Sequence, residues 1–238
     1  MELLSKNKIK LIRSLQAKKN RDSESFFVVE GEKMVEELLR DNPALVEFVV
    51  TTLNNSSFDR CYQADERSMK EISSLKTPSS LLAVVRKLEV STSTSNFVLA
   101  LDGIQDPGNL GTIIRTADWF GVDRIVCSLD TVDCYNPKVV QATMGSIFRV
   151  AVEYTDLTEF LASSELPIYG ALLNGKNLYE TELQIPSILL IGNEGKGISP
   201  SAQAHIDHPV FIPSYGKAES LNASMATGIL LAEFRRLA

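Results

Sequence analysis

From residue 97 onward, short apolar runs recur at 97–101, 124–127, 168–173, 187–191 and 210–212, with helix-like segments between them. Such runs are apolar on both faces, so they are stable only when buried from both sides. Strands alternating with helices supply that cover, and the alternation predicts an α/β fold with a mostly parallel sheet. The last segment, 220–237, is the longest helix candidate. It is apolar almost all round through Ile229, Leu230 and Leu231, and so needs cover from more than one direction.

Residues before 90 follow a different rhythm. Ile9, Leu11, Ile12 and Leu15 sit at helical spacing and predict an amphipathic helix over 5–18. A strand at 26–29, a helix at 32–39 and strands at 46–51 and 79–85 complete a small mixed α/β unit. The Ser/Thr-rich stretch 91–96 reads as a linker. The expected organisation is a first domain over 1–90, a linker over 91–96 and a second domain over 97–238, a division that 238 residues accommodate.

The net charge of −6 argues against a nucleic-acid partner until its distribution is considered. Residues 1–90 carry 15 basic and 14 acidic side chains, and the remainder carries 9 basic and 16 acidic. Lys6, Lys8, Lys10, Arg13, Lys18, Lys19 and Arg21 precede every acidic residue except Glu2. They form a candidate phosphate-binding strip, with an ordinary solvated helix face as the other reading. No run reaches the roughly 18 apolar residues of a membrane span, and the bases of the N-terminal segment are scattered instead of preceding an apolar core, so a cytoplasmic protein is expected. Cys61, Cys127 and Cys134 lack paired spacing and read as incidental thiols, which excludes a disulfide framework or structural zinc.

Three segments carry the candidate chemistry, although a capped strand-to-helix turn, a glycine-rich turn and a helix-packing seam are their structural alternatives. In the first, Leu101-Asp102-Gly103-Ile104-Gln105-Asp106-Pro107-Gly108-Asn109-Leu110-Gly111, a strand enters a turn and then a helix whose inner stripe is Leu110, Ile113, Ile114 and Ala117. Arg115 falls outside that stripe. In the second, Ile191-Gly192-Asn193-Glu194-Gly195-Lys196-Gly197-Ile198-Ser199-Pro200, a strand empties into a loop with three glycines. The loop fits neither the G-x-x-x-x-G-K-[ST] phosphate loop nor the dinucleotide fingerprint, whose third glycine would stand at Pro200. A nucleotide hydrolase or kinase is disfavoured accordingly. In the third, Ser220, Asn222 and Ser224 crowd the start of the terminal helix, and Ser220, Ser224 and Gly228 recur every four residues as a small-residue strip.

Together and in this order, the three segments resemble the motifs of the SpoU (TrmH-like) branch of the SPOUT superfamily of RNA 2′-O-ribose methyltransferases. The resemblance covers 97–238, and residues 9–32 resemble the family's appended substrate-binding domain, which is similar to a ribosomal-protein-type RNA-binding fold. It implies a C-terminal trefoil knot, an exception to the rule against threaded chains. It implies S-adenosylmethionine as methyl donor, bound near Leu173, Gly192, Ile212 and Leu221. It also implies Arg115 as the central catalytic residue, with Asn109, Glu194, Ser220 and Asn222 as the remaining polar members of the site. The chemistry requires no metal. The implied partners are RNA, ribosomal more than transfer RNA, and a second copy of the chain packed through 220–236. The alternative is an RNA-binding protein that keeps the fold without methylating.

Overall fold

The basic N-terminal segment folds as two short helices instead of one. After a two-residue strand β1 (Glu2–Leu3), Ser5 caps α1 (Lys6–Ser14), and the chain breaks before α2 (Lys18–Glu24). Arg21 holds the break: its guanidinium donates to the carbonyls of Leu15 and Gln16 at 2.8 and 2.9 Å, groups that a helix end leaves without a partner. Arg21 is 2% exposed. It therefore leaves the expected phosphate-binding strip, because its charge is committed inside the fold.

In the computed structural model, which describes residues 2–54, 58–89 and 95–237, the chain divides into two units. One comprises Met1–Glu89 with Tyr135–Phe148, the other Val90–Cys134 with Arg149–Ala238. Of the expected linker, residues 91–94 lie outside the described residues.

The first unit continues through β2 (Phe26–Glu30), α3 (Glu32–Asp41), β3 (Val46–Thr51), β4 (Cys61–Gln63), α4 (Glu66–Ile72) and β5 (Leu81–Arg86). Its sheet has the order β1-β4-β3-β5-β2, parallel around β4 and antiparallel around β5. Strand alternation sorts the side chains. Val28, Phe48, Val50, Leu82 and Val84 meet Ile12, Leu15, Met69 and Ile72 on one face, while Phe27, Val29, Val49, Ala83 and Val85 meet Met34, Val35 and Leu38 on the other.

The second unit runs β6 (Phe97–Asp102), α5 (Pro107–Trp119) and β7 (Arg124–Ser128), then, beyond α6 (Pro137–Thr143), β8 (Ala151–Thr155), α7 (Leu157–Ala162), β9 (Ile168–Asn177), β10 (Ser187–Gly192), α8 (Pro200–Gln203), β11 (His208–Phe211) and α9 (Ala223–Leu237). The sheet order is β11-β9-β10-β6-β7-β8, and every pairing is parallel. The parallel α/β architecture read from the apolar runs is the one found. On β9, residues 171–175 have no register partner on β11, since Pro209 pairs with Gly170 and Val210 with Lys176.

The segment Tyr135–Phe148, which contains α6, groups with the first unit although it lies within 97–238. Val140 joins the cluster around Phe27, and Tyr135 and Phe148 stack on Phe27 with ring centroids 4.6 and 6.2 Å apart. Leu88 N donates to Tyr135 Oη at 3.1 Å. The apolar side chains of this segment are thus taken up by the β2 face of the first sheet, and the second unit is not a contiguous piece of chain.

Helix α9 packs along α5 and against β10, with Leu230, Leu231 and Phe234 buried. It starts at Ala223, so Ser220 lies ahead of it and the expected Ser220–Ser224–Gly228 strip is not a feature of one helix. Gly228 faces α5, since a Cβ there would sit 3.8 Å from Thr116 Cγ2. The first-motif helix thus supplies part of the second-sided cover that α9 needs. Among the described residues, no helix is long and apolar enough to cross a membrane.

Candidate functional site

The glycine loop after β10 folds back on itself. Asn193 and Gly197 exchange both backbone hydrogen bonds, at 3.0 and 2.9 Å, closing the five residues into a tight turn. Closure requires two glycines. A Cβ on Gly192 would stand 2.3 Å from Gly197 C and Ile198 N, and Gly197 has φ +69°, a region that favours glycine. Inside the turn, Asn193 Oδ1 accepts from Gly195 N and Lys196 N at 2.9 and 3.0 Å. Its Nδ2 donates to Gly103 O at 2.7 Å, tying the turn to the end of β6. A second tie runs from Ser199 N to Asp102 Oδ2 at 2.7 Å, and a third from Gly103 N to Ser128 Oγ at 2.8 Å. The ends of β6, β7 and β10 are therefore held together by side chains as well as by the sheet.

On this platform the three polar segments meet. Asp106 caps α5 by accepting from Asn109 N at 2.8 Å, and Pro107 occupies the first helical position. Asn222 Oδ1 accepts from Ser224 N and Met225 N at 3.0 and 3.3 Å, which caps α9. The same Asn222 donates through Nδ2 to Asn109 Oδ1 at 2.8 Å, and Asn109 Nδ2 donates to Glu194 Oε1 at 2.5 Å. One hydrogen-bond chain, Asn222 to Asn109 to Glu194, thus joins residues from three segments. Its direction is fixed, because each amide uses its donor on the next acceptor. The Glu194 carboxylate lies beside the start of α5, where the helix dipole favours negative charge.

The other expected site residues lie on the same and neighbouring elements. Arg115 is exposed on α5 and has no hydrogen bond or ion pair among the described residues. Ser220 is exposed in the segment leading to Asn222. Leu173 is 79% exposed in the unpaired part of β9, Gly192 ends β10, Ile212 follows β11 and Leu221 is 47% exposed. Gly192, Ile212 and Leu221 lie at or beyond the carboxyl ends of β10 and β11, the side on which open α/β sheets bind ligands, and Leu173 lies within β9 past its last residue paired with β10. Of the N-terminal strip, Lys6, Lys10, Lys18 and Lys19 are exposed. Lys8 Nζ lies over the rings of Phe48 and Tyr62 at 4.2 and 4.3 Å, and Arg13 pairs with Glu71 at 2.7 Å.

Asn193, Asp102 and Ser128 organise the site and were not singled out by sequence. Only Asn193 carried a signal, as the polar residue between two glycines at a strand end. Burial pushes the Cys127 thiol well above its ordinary range, consistent with an inert core residue. Among the described residues, no group of three or more His, Cys, Asp or Glu side chains is placed to hold a metal ion.

Residues 96–232 match the SpoU rRNA Methylase family, and residues 6–83 match an MRM3-like substrate binding domain. The chain is 34% identical to the 23S rRNA (guanosine(2553)-2′-O)-methyltransferase RlmP of Bacillus subtilis, over 99% of this chain and 98% of that protein. It is similar in structure to a TrmH-family protein from Porphyromonas gingivalis, with TM-score 0.87, 38% identity and coverage of 99% and 100%. It also resembles an AdoMet-bound rRNA methyltransferase from Sinorhizobium meliloti, with TM-score 0.86, 28% identity and coverage of 99% and 97%. Fold, site and matches together define an RNA methyltransferase. The chain belongs to the SpoU rRNA methylase family.

Proposed function

We propose that this protein transfers a methyl group from S-adenosylmethionine to a ribose 2′-hydroxyl of ribosomal RNA. The observation that carries the reading is the Asn222–Asn109–Glu194 chain, which gathers three distant segments, the first of which also carries Arg115 on α5. The residues fit the donor. Leu173 and Leu221 offer exposed apolar side chains, and Gly192 and Ile212 offer backbone at neighbouring strand ends. When bound, S-adenosylmethionine supplies a sulfonium methyl group that needs no further activation.

What remains for the protein is to place the 2′-oxygen in line and to favour its loss of a proton. Arg115 does this as a cation. Its delocalised guanidinium charge acts by binding the adjoining phosphate and stabilising the developing alkoxide, while the hydroxyl proton leaves to solvent water. Asn109 and Asn222 keep Glu194 fixed, and Ser220 stands in the same segment as a hydroxyl for the ribose or the donor.

We also infer the C-terminal knot, a cytoplasmic location, RNA binding by the first domain, and a homodimer through the surface of α5 and α9. Trp119 and Met225, 85% and 61% exposed, are the large apolar side chains that a second copy would cover. Met225→Arg tests the dimer better than a change at Gly228, which faces α5 within the chain. Sedimentation equilibrium of the full chain should show a dimer that this variant weakens.

The decisive assay supplies the purified protein with methyl-labelled S-adenosylmethionine and ribosomal RNA lacking its own modification. Label should appear in dinucleotides resistant to alkali, since a methylated 2′-oxygen cannot attack the neighbouring phosphate. Label in alkali-sensitive nucleotides would mean methylation elsewhere on the base, and the ribose reading would be wrong.

A further inference from the structure

The second unit is the acidic part of the chain, yet most of its unpaired basic side chains belong to the three segments that meet at the site. Among its described residues, Arg124 pairs with Glu153 at 2.6 Å, Arg149 with Asp118 at 2.8 Å and Arg236 with Glu233 at 2.6 Å. Arg235 is committed to the carbonyls of Phe120 and Gly121 at 2.6 and 2.8 Å. The four basic side chains left without a partner are Arg115, Lys176, Lys196 and Lys217. Three of these come one each from the three segments joined by the Asn222–Asn109–Glu194 chain: Arg115 from the first, Lys196 from the glycine turn and Lys217 from the approach to α9.

Tyr215 stands two residues before Lys217 and is 94% exposed, the most exposed large apolar side chain among the described residues. A ring held in water with no hydrophobic cover contributes nothing to folding. Its open face suits stacking, and an aromatic ring interleaved with cations is the arrangement that holds single-stranded nucleic acid: bases stack on the ring while lysines follow the phosphates.

The geometry points to a single-stranded RNA track on the second unit, in which Lys196 and Lys217 bind phosphates flanking the target nucleotide and Tyr215 stacks on a neighbouring base. The track rests on the methyltransfer reading above, and it makes the catalytic unit itself a reader of RNA alongside the first domain. Single-stranded RNA is required because a base in a duplex offers no free face.

The test uses the full chain, a fluorescent single-stranded RNA oligonucleotide followed by anisotropy across salt concentrations, and methylation kinetics on ribosomal RNA. Replacing both lysines (Lys196→Gln with Lys217→Gln) should flatten the salt slope of RNA binding by about 1.4, at roughly 0.7 per phosphate contact on a single strand. Tyr215→Ala should raise the KM for RNA about tenfold or more while Tyr215→Phe stays near wild type, since stacking needs the ring and not the hydroxyl. The Kd for S-adenosylmethionine, by calorimetry, should not move in any of them. An unchanged salt slope, an equal loss from Lys176→Gln, or a Tyr215→Ala effect on donor Kd in place of RNA KM would each overturn the track. Failure of the wild type itself to bind donor or methylate RNA would instead sink the methyltransfer reading.

Discussion

The N-terminal helices and the strand ends of the parallel sheet both present cations, and they use them in opposite ways. The helices are rich in charge, but much of it is already committed: Arg21 inward to the carbonyls that end α1, Lys8 to the faces of Phe48 and Tyr62, and Arg13 to Glu71 at the surface. The second unit is poor in positive charge, with 16 acidic and 8 basic residues over 90–134 and 149–238, but it leaves Arg115, Lys196 and Lys217 without partners on the three segments joined by one hydrogen-bonded cluster. Net charge and the density of bases along the sequence therefore do not by themselves say which cations are free to meet a polyanion. What matters is which cations the fold has not already used.

Four variants test this contrast. The largest effect is expected at Arg115, whose cation is unpaired: Arg115→Ala should lower kcat about 10² to 10³-fold, the usual cost of removing one group aimed at developing negative charge. Donor affinity, measured by calorimetry on the same variant, should stay within about twofold. A collapse of donor affinity with normal turnover at saturation would assign Arg115 to the donor pocket. Next comes Arg21, the buried counterpart. Arg21→Ala should cost about 2–3 kcal/mol of stability in urea unfolding, the scale of hydrogen bonds made by a charged group. A fully stable variant with weakened RNA binding would return Arg21 to the surface strip.

Reversing the charge of the exposed Lys6, Lys10, Lys18 and Lys19 should weaken RNA binding and flatten its salt dependence without changing donor binding. An unchanged slope would make these lysines a solvated face. The smallest effect is expected at Lys8, where Lys8→Ala should cost about 0.5–1 kcal/mol of stability through the lost contact with the two rings. A change in RNA affinity larger than that of the exposed lysines would break the distinction between committed and free cations.

The sequence disclosed the elements whose burial leaves a mark. Apolar runs marked β6, β7, β9, β10 and β11, and three polar islands marked the site. It did not disclose β4 or β8, because neither is an apolar run: Cys61–Gln63 is three half-buried residues, and Ala151–Thr155 lies at the sheet edge with all five residues half-buried. Nor did it disclose the turn of Arg21 inward, since a lysine-rich helix and a broken one share the same spacing of Ile9, Ile12 and Leu15. At the site, the residue types were legible and their joints were not. Asn193 acts through the carbonyl of Gly103, 90 residues earlier in the chain, and Gly192 is a glycine because the backbone of Gly197 and Ile198 passes where its side chain would be. Such partners exist only once the strands have paired.

The placement of Tyr135–Phe148 bears on how proteins of this design can be recombined. With that segment laid into the apolar face of the first sheet, the polypeptide crosses between the two units three times, near residues 89, 134 and 148. The first unit is therefore not a detachable cassette. A chimaera joined only in the stretch around residue 90 would bring in a foreign sheet beneath a resident α6, leaving Tyr135, Val140 and Phe148 to pack against side chains they did not evolve with. Transplanting the first unit from one relative to another calls for two splices within 97–238 as well as the one ahead of it, so that its two pieces stay matched.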